Sequence, residues 1–495
     1  MTDLRLDRRE FLKGACATAA AGAVGPGLLF SQEAHAAVNA YDTVVLVFLR
    51  GGMDGLNLVP PVSGNDRGYY EEARPSLNIA ASGTYGALPL TLADGSATGF
   101  GLHPSATGLK TIWDAGKLAI VQSCGMPTVV TRSHFDAQLY ADLGTPGQQA
   151  GGTGWMTRAW STLPGAGTPT MPMLAVASRA PSNMLGATQA LTMSSPTDFQ
   201  LNTGAWQWQQ YRSGLPAGTK GVNETLASLW AGQTGVEYAG QRADAALRVI
   251  GAQAYTSTLP ANWPTTAFAR QLWTIAQSIR FNLGLRFATL DLGGWDTHDG
   301  QGTAGSGYHY YQNKIVELSE ALTAFYNELN AGGEAARVTV IVQSEFGRRV
   351  RQNGSGGTDH GYGNPMLVLG GAVNGRKLYG QWLGLQPETL SPYFGDVPAT
   401  TDFRRVLSEV AIRRLGNNQL GTIFPGYSGY APLGIVQGTD LPPNFAAMTG
   451  SGTHLASPAQ PAYGSSLVES ARARRAAERD RESWFMRVLE ALGLA

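Results

Sequence analysis

Short apolar runs along the chain alternate with longer segments in which apolar residues recur every three or four positions. The first run, Tyr41–Arg50, is apolar or aromatic at most positions, which is typical of a parallel strand buried on both faces. Five later runs have the same character and are predicted strands: Leu118–Cys124, Met171–Ala177, Leu285–Leu292, Val338–Gln343 and Met366–Leu369.

Helical periodicity separates several of these runs. The segment Gln312–Leu329 carries one apolar face, formed by Ile315, Leu318, Leu322, Phe325 and Leu329. It lies between the predicted strands Leu285–Leu292 and Val338–Gln343, which indicates a βαβ crossover. The pattern therefore predicts an α/β fold with a mostly parallel sheet and helices on both faces.

The predicted domain spans residues 37–445. Residues 151–282 are rich in tryptophan and in proline and serine breaks, and we interpret them as a cap inserted over the strand ends. The alternative is that this range supplies further core elements. Residues 446–495 read as a linker followed by a C-terminal amphipathic helix, which either packs on its own domain or docks a partner.

The N-terminus predicts export. Arg8 and Arg9 precede Phe11 and a weakly apolar, Ala/Gly-rich stretch, and small residues around Ala36 suit a signal peptidase, so residues 1–36 are a predicted twin-arginine signal. The mature chain keeps Cys124 alone and has no internal disulfide. No later run reaches the roughly 20 apolar residues of a membrane span. We expect a soluble periplasmic or secreted protein without a transmembrane segment.

The net charge of the chain bears on which kinds of partner it could bind. The chain has 36 lysine and arginine residues against 36 aspartate and glutamate residues. Such a balance gives no reason to expect a nucleic acid or a charged membrane surface as partner. A small-molecule or polymer substrate is the better expectation.

Polar residues follow the predicted strands, at the edge where open α/β sheets bind ligands. Asp54 comes after the glycine pair that ends the first strand, and Asp296 and His298 follow Leu285–Leu292. Alternation along an extended chain points Asp296 and His298 to the same side, where they could share one metal ion. The alternative is an Asp–His hydrogen bond that closes a turn.

Two further groups follow Val338–Gln343. Glu345 precedes a glycine and Arg348, so the carboxylate is a candidate cation ligand and the arginine a candidate anion-binding group. The simpler alternative is an ion pair between Glu345 and a neighbouring arginine. His360, preceded by Asp359 in a glycine-rich loop, is a further candidate ligand.

The segment Arg132-Ser133-His134 allows two interpretations. Ser133 with Asp136 three residues later has the pattern of a capping box that begins a helix. A serine at a helix N-terminus also lies where anions bind, and a metal ion nearby would make it a nucleophile.

Taken together, these motifs resemble the alkaline-phosphatase-like superfamily of phosphatases, sulfatases and phosphoglycerate mutases. More narrowly, the chain resembles a twin-arginine-exported family within it that is known as a domain of unknown function. The pieces that carry the resemblance are Arg50–Asn57, Leu102–Pro104, Arg132–Phe135, Gly294–His298, Ser344–Arg348 and Thr358–Gly361. The resemblance implies an αβα sandwich with two metal ions at the strand ends.

The resemblance also implies residue roles. Asp54 matches the first-strand carboxylate that binds one metal, and Ser133 lies where the nucleophile is found. Asp296 and His298 resemble the Asp–His pair of the other metal, and His360 matches the last histidine ligand. Glu345 occupies the place of an Asp-His dipeptide.

The departures from that pattern change the expected metal. With Glu345-Phe346 in place of the dipeptide, one imidazole is missing unless His134 or His103 replaces it. One metal site would then be all oxygen, favouring Mg²⁺, Mn²⁺ or Ca²⁺ over Zn²⁺, or would be absent. Ser133 is outside a sulfatase Cys/Ser-x-Pro-x-Arg motif, which argues against formylglycine chemistry.

The sequence thus predicts an exported hydrolase of phosphate or sulfate esters with one or two divalent metals. Ser133, Arg132 and Arg348 are the candidate catalytic residues. The candidate metal ligands are Asp54, Asp296, His298, Glu345, His360 and His134. The alternative is a non-catalytic secreted binding protein that retains the fold, while a redox enzyme is disfavoured because dinucleotide and cysteine-cluster motifs are lacking.

Overall fold

A large mixed sheet forms the centre of the protein. The computed structural model describes residues 41–148, 152–195, 253–391 and 395–446, with short stretches at 229–234, 236–237, 240–241 and 249–250. The described strands are β1 (Thr43–Leu49), β2 (Leu88–Thr91), β3 (Ala97–Leu102), β4 (Leu118–Gly125), β5 (Met173–Val176), β6 (Ala190–Met193), β7 (Phe287–Leu292), β8 (Val338–Ser344), β9 (Asn364–Gly370), β10 (Lys377–Tyr379) and β11 (Thr401–Asp402).

The main sheet has the strand order β10-β4-β9-β8-β1-β7-β5-β6, and β11 also pairs with β4. Strand β1 lies between β7 and β8 and is parallel to both. Every residue of β1 is buried, as its continuous apolar sequence predicts. The prediction of a mostly parallel α/β sheet is confirmed.

One strand departs from the parallel arrangement. Strand β9 is antiparallel to both of its neighbours, β4 and β8. Because β9 directly follows β8 along the chain and pairs beside it, the connection at residues 345–363 needs no crossover helix. This long connection therefore stays at the edge where β8 ends, and it carries Glu345, Arg348 and His360.

Helices cover both faces of the sheet. The described helices are α1 (Gly55–Leu58), α2 (Asn65–Ala73), α3 (Thr107–Asp114), α4 (His134–Leu143), α5 (Trp155–Ser161), α6 (Ala267–Arg280), α7 (Tyr310–Gly332), α8 (Phe403–Leu415) and α9 (Leu420–Ile423). Apolar residues of α3, α6 and α7 share one core with Val45 and Val47 of β1, and those of α4, α5, α8 and α9 share a second core with Val44 and Leu46. Alternate β1 side chains thus enter opposite layers, and each buried valine or leucine contributes about 1.5–3 kcal/mol.

The predicted helix around Gln312–Leu329 is confirmed as α7, and its apolar face is buried. The strands that it connects, β7 and β8, are parallel but not adjacent, because β1 lies between them. The crossover therefore spans one strand of the sheet. Periodicity predicts the helix and its buried face, whereas strand order depends on pairing partners distant in sequence.

The described parts of residues 151–282 join the main fold. Strands β5 and β6 extend the sheet beside β7. Helices α5 and α6 pack into the two cores, with Trp155 and Trp160 buried. For these elements, the interpretation as further core elements applies rather than that of a cap.

The predicted signal at residues 1–36 lies outside the described residues, as do the predicted linker and C-terminal helix apart from residue 446. Among the described helices, none is long and apolar enough to cross a membrane.

Candidate metal centre

The candidate site lies where β1, β7 and β8 end. The loop after β7 brings Asp296 and His298, and the connection from β8 to β9 brings His360. His134 begins α4, in the segment that follows β4. These four residues come from three separate segments, so only the assembled sheet edge brings them together.

Asp296 is at the centre of this group. Its Oδ1 lies 3.2 Å from Nε2 of His298 and 3.2 Å from Nε2 of His360, and its Oδ2 lies 3.4 Å from Nε2 of His134. The two Nε2 atoms of His298 and His360 are only 2.9 Å apart. His134, Asp296 and His360 each offer a ligand atom within 4.8 Å of the others, which is a separation suited to one metal ion. The sequence prediction that Asp296 and His298 point to the same side is confirmed.

Hydrogen bonds to Nδ1 fix the orientation of all three imidazoles. The pairs are His134 with Glu345 Oε1 at 2.7 Å, His298 with Asp359 Oδ1 at 3.0 Å, and His360 with the carbonyl oxygen of Arg132 at 2.7 Å. An ionised carboxylate or a carbonyl can only accept, so each Nδ1 carries the hydrogen and donates it. The neutral form of each ring then presents a lone pair on Nε2, toward Asp296. Histidine ligands of metal ions in proteins are held in this way.

Glu345, a predicted ligand, contacts His134 on the side of the ring that faces away from Asp296. Its side chain is buried, and Oε1 also accepts hydrogen bonds from the Gln138 side chain at 2.8 Å and from the Gly51 amide at 2.9 Å. Burial alone would raise the pKa of Glu345, but the hydrogen bonds from His134 and Gln138 lower it below its ordinary value. The carboxylate is therefore charged, and in this arrangement it orients His134.

Phe346 directly follows Glu345 and lies against two of the imidazoles. It is buried, and its ring centroid lies 4.9 Å from that of His134 and 5.0 Å from that of His360. The phenyl ring thus forms one wall of the site and restricts the rotation of both imidazoles.

Arg348 is a buried support of the site. Its side chain is fully buried, and it donates to Asp296 Oδ1 at 2.6 Å and to the carbonyls of Gly52 at 2.6 Å and Thr358 at 2.8 Å. It also donates to the carbonyls of Gly51 and Trp295. With its donors directed at protein oxygens, it holds the loops after β1, β7 and β8 together.

The charge of Asp296 follows from this contact. Burial acts to raise its pKa, but the hydrogen bond and the charge of Arg348, with smaller contributions from His134 and His360, lower the pKa to about 2. For His360, burial is the largest cause of a pKa below the ordinary value. A charged carboxylate beside a neutral imidazole is the protonation state that a metal ion requires of its ligands.

Close backbone approach makes the convergence of the loops feasible. Gly51 has φ +124°, and a Cβ placed on it would lie 2.5 Å from the backbone nitrogen of Asp296. A Cβ on Gly357 would overlap the backbone of His298. At both positions only glycine fits, so glycine after β1 and in the connection from β8 to β9 allows these loops to approach each other.

Asp54 is placed apart from the group around Asp296. It is buried, its Oδ2 pairs with Arg74 Nη1 at 2.6 Å, and the same oxygen accepts from Gln301 Nε2 at 2.6 Å. Arg74 also donates to the backbone carbonyls of Val350 and Arg349. The structure thus places Asp54 in a buried ion pair that supports the loops, and its predicted role as a ligand stays a prediction.

Arg132 and Ser133 lie beside His134. Ser133 is the N-cap residue of α4, and its Oγ accepts a hydrogen bond from the Asp136 amide at 3.3 Å, which confirms the predicted cap. The Arg132 guanidinium pairs with Asp396 at 2.5 Å and remains about one quarter exposed. The backbone carbonyl of Arg132 accepts the hydrogen bond from His360, while its guanidinium is held by Asp396.

Four supporting residues were not singled out by the sequence: Gln138, Arg74, Gln301 and Asp396. Gln138 had a detectable signal, because it is one helical turn after His134. The other three belong to no motif and are identified only by their contacts.

The chemistry of the group suits a divalent metal ion. It offers imidazole nitrogens and a carboxylate oxygen, and the hydrogen bond from Arg348 favours the charged form of that carboxylate. Within the described part of the chain, the Nε2 atom of His134 is buried and makes no hydrogen bond. A buried polar atom without such a partner is uncommon, and a bound cation would satisfy it.

Comparison with known families found a match. The model of the family described as "Protein of unknown function (DUF1501)" matches residues 125–392, more than half of the chain. The matched range includes His134, Asp296, His298 and His360, while Asp54 precedes it. A comparison with curated proteins gave no match.

Proposed function

The chain belongs to the DUF1501 family, and we propose that it is an exported, metal-dependent hydrolase of phosphate or sulfate esters. Its metal centre comprises His134, Asp296, His298 and His360. The remaining residues of the site position these ligands or bind the anionic part of the substrate.

The contact between His298 and His360 carries this proposal. Two Nε2 atoms that both present lone pairs repel each other at 2.9 Å unless a proton or a cation lies between them. His134 Nε2 and the Asp296 carboxylate face the same point. A divalent cation would be bound by His134, Asp296 and His360 and would remove the repulsion between His360 and His298, whereas a single proton joins only two of these groups.

The donor set favours particular metal ions. Imidazole nitrogens suit Zn²⁺ and other first-row transition metals, while Mg²⁺ and Ca²⁺ prefer sites composed of oxygen atoms. With Glu345 and Asp54 held in hydrogen bonds and an ion pair, the site at Asp296 is not an all-oxygen site. We therefore favour one transition-metal ion, Zn²⁺ before Mn²⁺, over a pair of alkaline-earth ions.

A divalent cation at this position supplies Lewis-acid polarisation of the ester. Side chains of the protein supply the anion-binding group and the nucleophile. Arg132 offers a partly exposed guanidinium beside the site for the non-bridging oxygens of a phosphate or sulfate group. Ser133 accepts one hydrogen bond from the Asp136 amide, and its O–H group remains a donor at the N-terminus of α4, which suits a nucleophile near an anion.

The resemblance of the motifs to the alkaline-phosphatase-like superfamily supports phosphate or sulfate esters as the substrate class. The twin-arginine motif at Arg8 and Arg9 supports export, since that route carries folded proteins with their metal in place. Replacing both arginines by lysine should retain the protein in the cytoplasm, which fractionation of the producing cells would measure. Export of the double lysine variant would contradict this route.

The direct test is metal content and hydrolysis in matched variants. Wild type, a His298→Ala/His360→Ala variant and a His309→Ala control would be purified without chelator and checked for folding by near-ultraviolet circular dichroism. We expect one equivalent of metal in wild type and control and less than a tenth of that in the double variant. A panel of phosphate monoesters, phosphate diesters and sulfate esters would then be assayed in the metal found.

Two results would overturn parts of the proposal. Folded wild-type protein that remains metal-free after incubation with Zn²⁺, Mn²⁺, Mg²⁺ and Ca²⁺ would contradict the metal centre. Stoichiometric metal without hydrolysis of any ester in the panel would contradict the enzyme and favour the secreted binding protein.

A further inference from the structure

We propose that Gln301 is a positioning residue that joins the two metal-binding loops to Asp54. The inference rests on the proposed metal centre and concerns a residue that does not touch the metal. It also gives Asp54 a role other than that of a ligand.

The Gln301 side chain makes three hydrogen bonds in a fully buried position. Its Nε2 donates to Asp54 Oδ2 at 2.6 Å, and its Oε1 accepts from Thr297 Oγ1 at 2.8 Å and from Thr358 Oγ1 at 3.0 Å. Because a carboxylate can only accept, the amide nitrogen must face Asp54. The amide oxygen then faces both threonine hydroxyls, which must donate, so this orientation of the amide is the one that satisfies all partners.

Each threonine is next to metal-binding residues. Thr297 lies between Asp296 and His298, and Thr358 lies two residues before His360. The backbone amide of Thr358 also donates to the carbonyl of Thr297 at 3.0 Å. One amide side chain therefore fixes the relative position of the loop after β7 and the connection before β9.

Asp54 anchors this amide. Its carboxylate is held by Arg74, which also binds the carbonyls of Arg349 and Val350 in the second loop. The Gln301 backbone adds further constraints, because its amide donates to the Gly356 carbonyl at 2.9 Å and its carbonyl accepts from the Tyr311 amide at 2.9 Å. These hydrogen bonds form a buried polar network, and its partial loss leaves buried groups unpaired.

The consequence concerns metal affinity. The ligands His298 and His360 are separated by 62 positions in sequence, and their Nε2 atoms must be held together against mutual repulsion before a cation binds. If Gln301 fixes their loops in advance, binding the metal does not have to order them. Removing the amide should therefore weaken metal binding more than a comparable change elsewhere in the core.

The test compares Gln301→Leu with Gln277→Leu in the full chain. Gln277 is a matched control because it is buried in α6 and its side-chain amide also both donates and accepts, here with the backbone of Thr256, away from the metal loops. Zn²⁺ affinity would be measured by competition with a chromophoric chelator, and the visible spectrum would be recorded with Co²⁺. We expect Gln301→Leu to lower Zn²⁺ affinity about 10-fold and to alter the Co²⁺ spectrum, and Gln277→Leu to leave both unchanged.

A second pair of variants covers the case in which Gln301→Leu does not fold. Thr358→Val removes one hydrogen bond at nearly constant shape, whereas Thr358→Ser retains it. We expect weakened Zn²⁺ binding in the valine variant and restored binding in the serine variant, which a merely structural role would not produce.

The outcomes separate the two proposals. If the wild type binds Zn²⁺ and the folded Gln301 and Thr358 variants bind it with the same affinity, the positioning role alone is overturned. Wild type that binds no metal would overturn the metal centre and the positioning role with it. If the Gln301 and Thr358→Val variants bind Zn²⁺ more weakly but the wild type hydrolyses no ester, the positioning role stands and only the hydrolase is contradicted.

Discussion

Nε2 of His298 lies 2.9 Å from Nε2 of His360, and each of these rings directs its Nδ1 hydrogen to an oxygen acceptor. The contact is unfavourable for two neutral imidazoles and favourable around a shared cation. It therefore indicates a binding site more directly than the identities of the residues do, since an isolated histidine is commonly a core or surface residue. The predictions below test the residues that hold these rings in place.

Replacing Glu345 by Gln should weaken metal binding without unfolding the protein. Glu345 Oε1 accepts from His134 Nδ1 at 2.7 Å, and this contact with a charged acceptor raises the basicity of the opposite ring nitrogen. We expect a loss of about 10- to 100-fold in Zn²⁺ affinity, measured by chelator competition. Glu328→Gln, at a carboxylate paired with Arg280 outside the site, is the control. Equal affinities in the two variants would show that Glu345 does not act through His134.

Arg348→Lys should destabilise the fold, because lysine cannot replace a planar guanidinium that binds Asp296 and several backbone carbonyls. The orphaned acceptors should cost about 3 kcal/mol in the free energy of unfolding, measured by urea denaturation of the metal-free protein. The control is Arg270→Lys, at an exposed arginine that donates to the Thr265 carbonyl. It should change the free energy of unfolding by less than about 0.5 kcal/mol. A stability of Arg348→Lys within that smaller range would contradict its role as a support of the loops.

Ser133 should affect stability and turnover separately. Ser133→Ala removes the N-cap of α4 and should cost about 1 kcal/mol in the free energy of unfolding. Ser133→Asp keeps a capping oxygen and should restore that stability. If Ser133 is the nucleophile, neither variant should hydrolyse an ester that the wild type accepts. Hydrolysis by the alanine variant would show that Ser133 is not the nucleophile and serves only as the N-cap.

Acid should destabilise the protein partly through His103. This residue is fully buried, its Nδ1 accepts from the Ser105 amide, and burial lowers its pKa from 6.5 to about 4. Between those two values the unfolded chain binds a proton that the folded chain does not, so the free energy of unfolding falls as the pH falls from 6.5 toward 4.

The His103→Asn variant isolates this contribution, because the asparagine oxygen can accept from the same amide and does not titrate. Between pH 7 and pH 5 we expect the wild type to lose roughly 1–2 kcal/mol more stability than the variant, as measured by urea denaturation at each pH. Parallel pH profiles for the two proteins would mean that His103 titrates normally in the fold.

The pattern of apolar residues determined most of the secondary structure. Runs such as Tyr41–Arg50 and the periodic face of Gln312–Leu329 correspond to β1 and α7, because burial on two faces or on one stripe leaves a local signature. The same pattern placed polar residues at the strand ends, which was enough to nominate Asp296, His298 and His360 as a group.

Only the tertiary structure decided which of the candidate side chains meet. Asp54 and Glu345 have the sequence context of ligands, yet Asp54 pairs with Arg74 and Gln301, and Glu345 orients His134. The partner Gln301 is 247 positions away from Asp54, so no local pattern could indicate it. A carboxylate is available to a cation only if no closer donor neutralises it, and that condition depends on how distant segments pack. The sequence therefore determined where charged groups gather, and the packing of the loops decided which of them face one another.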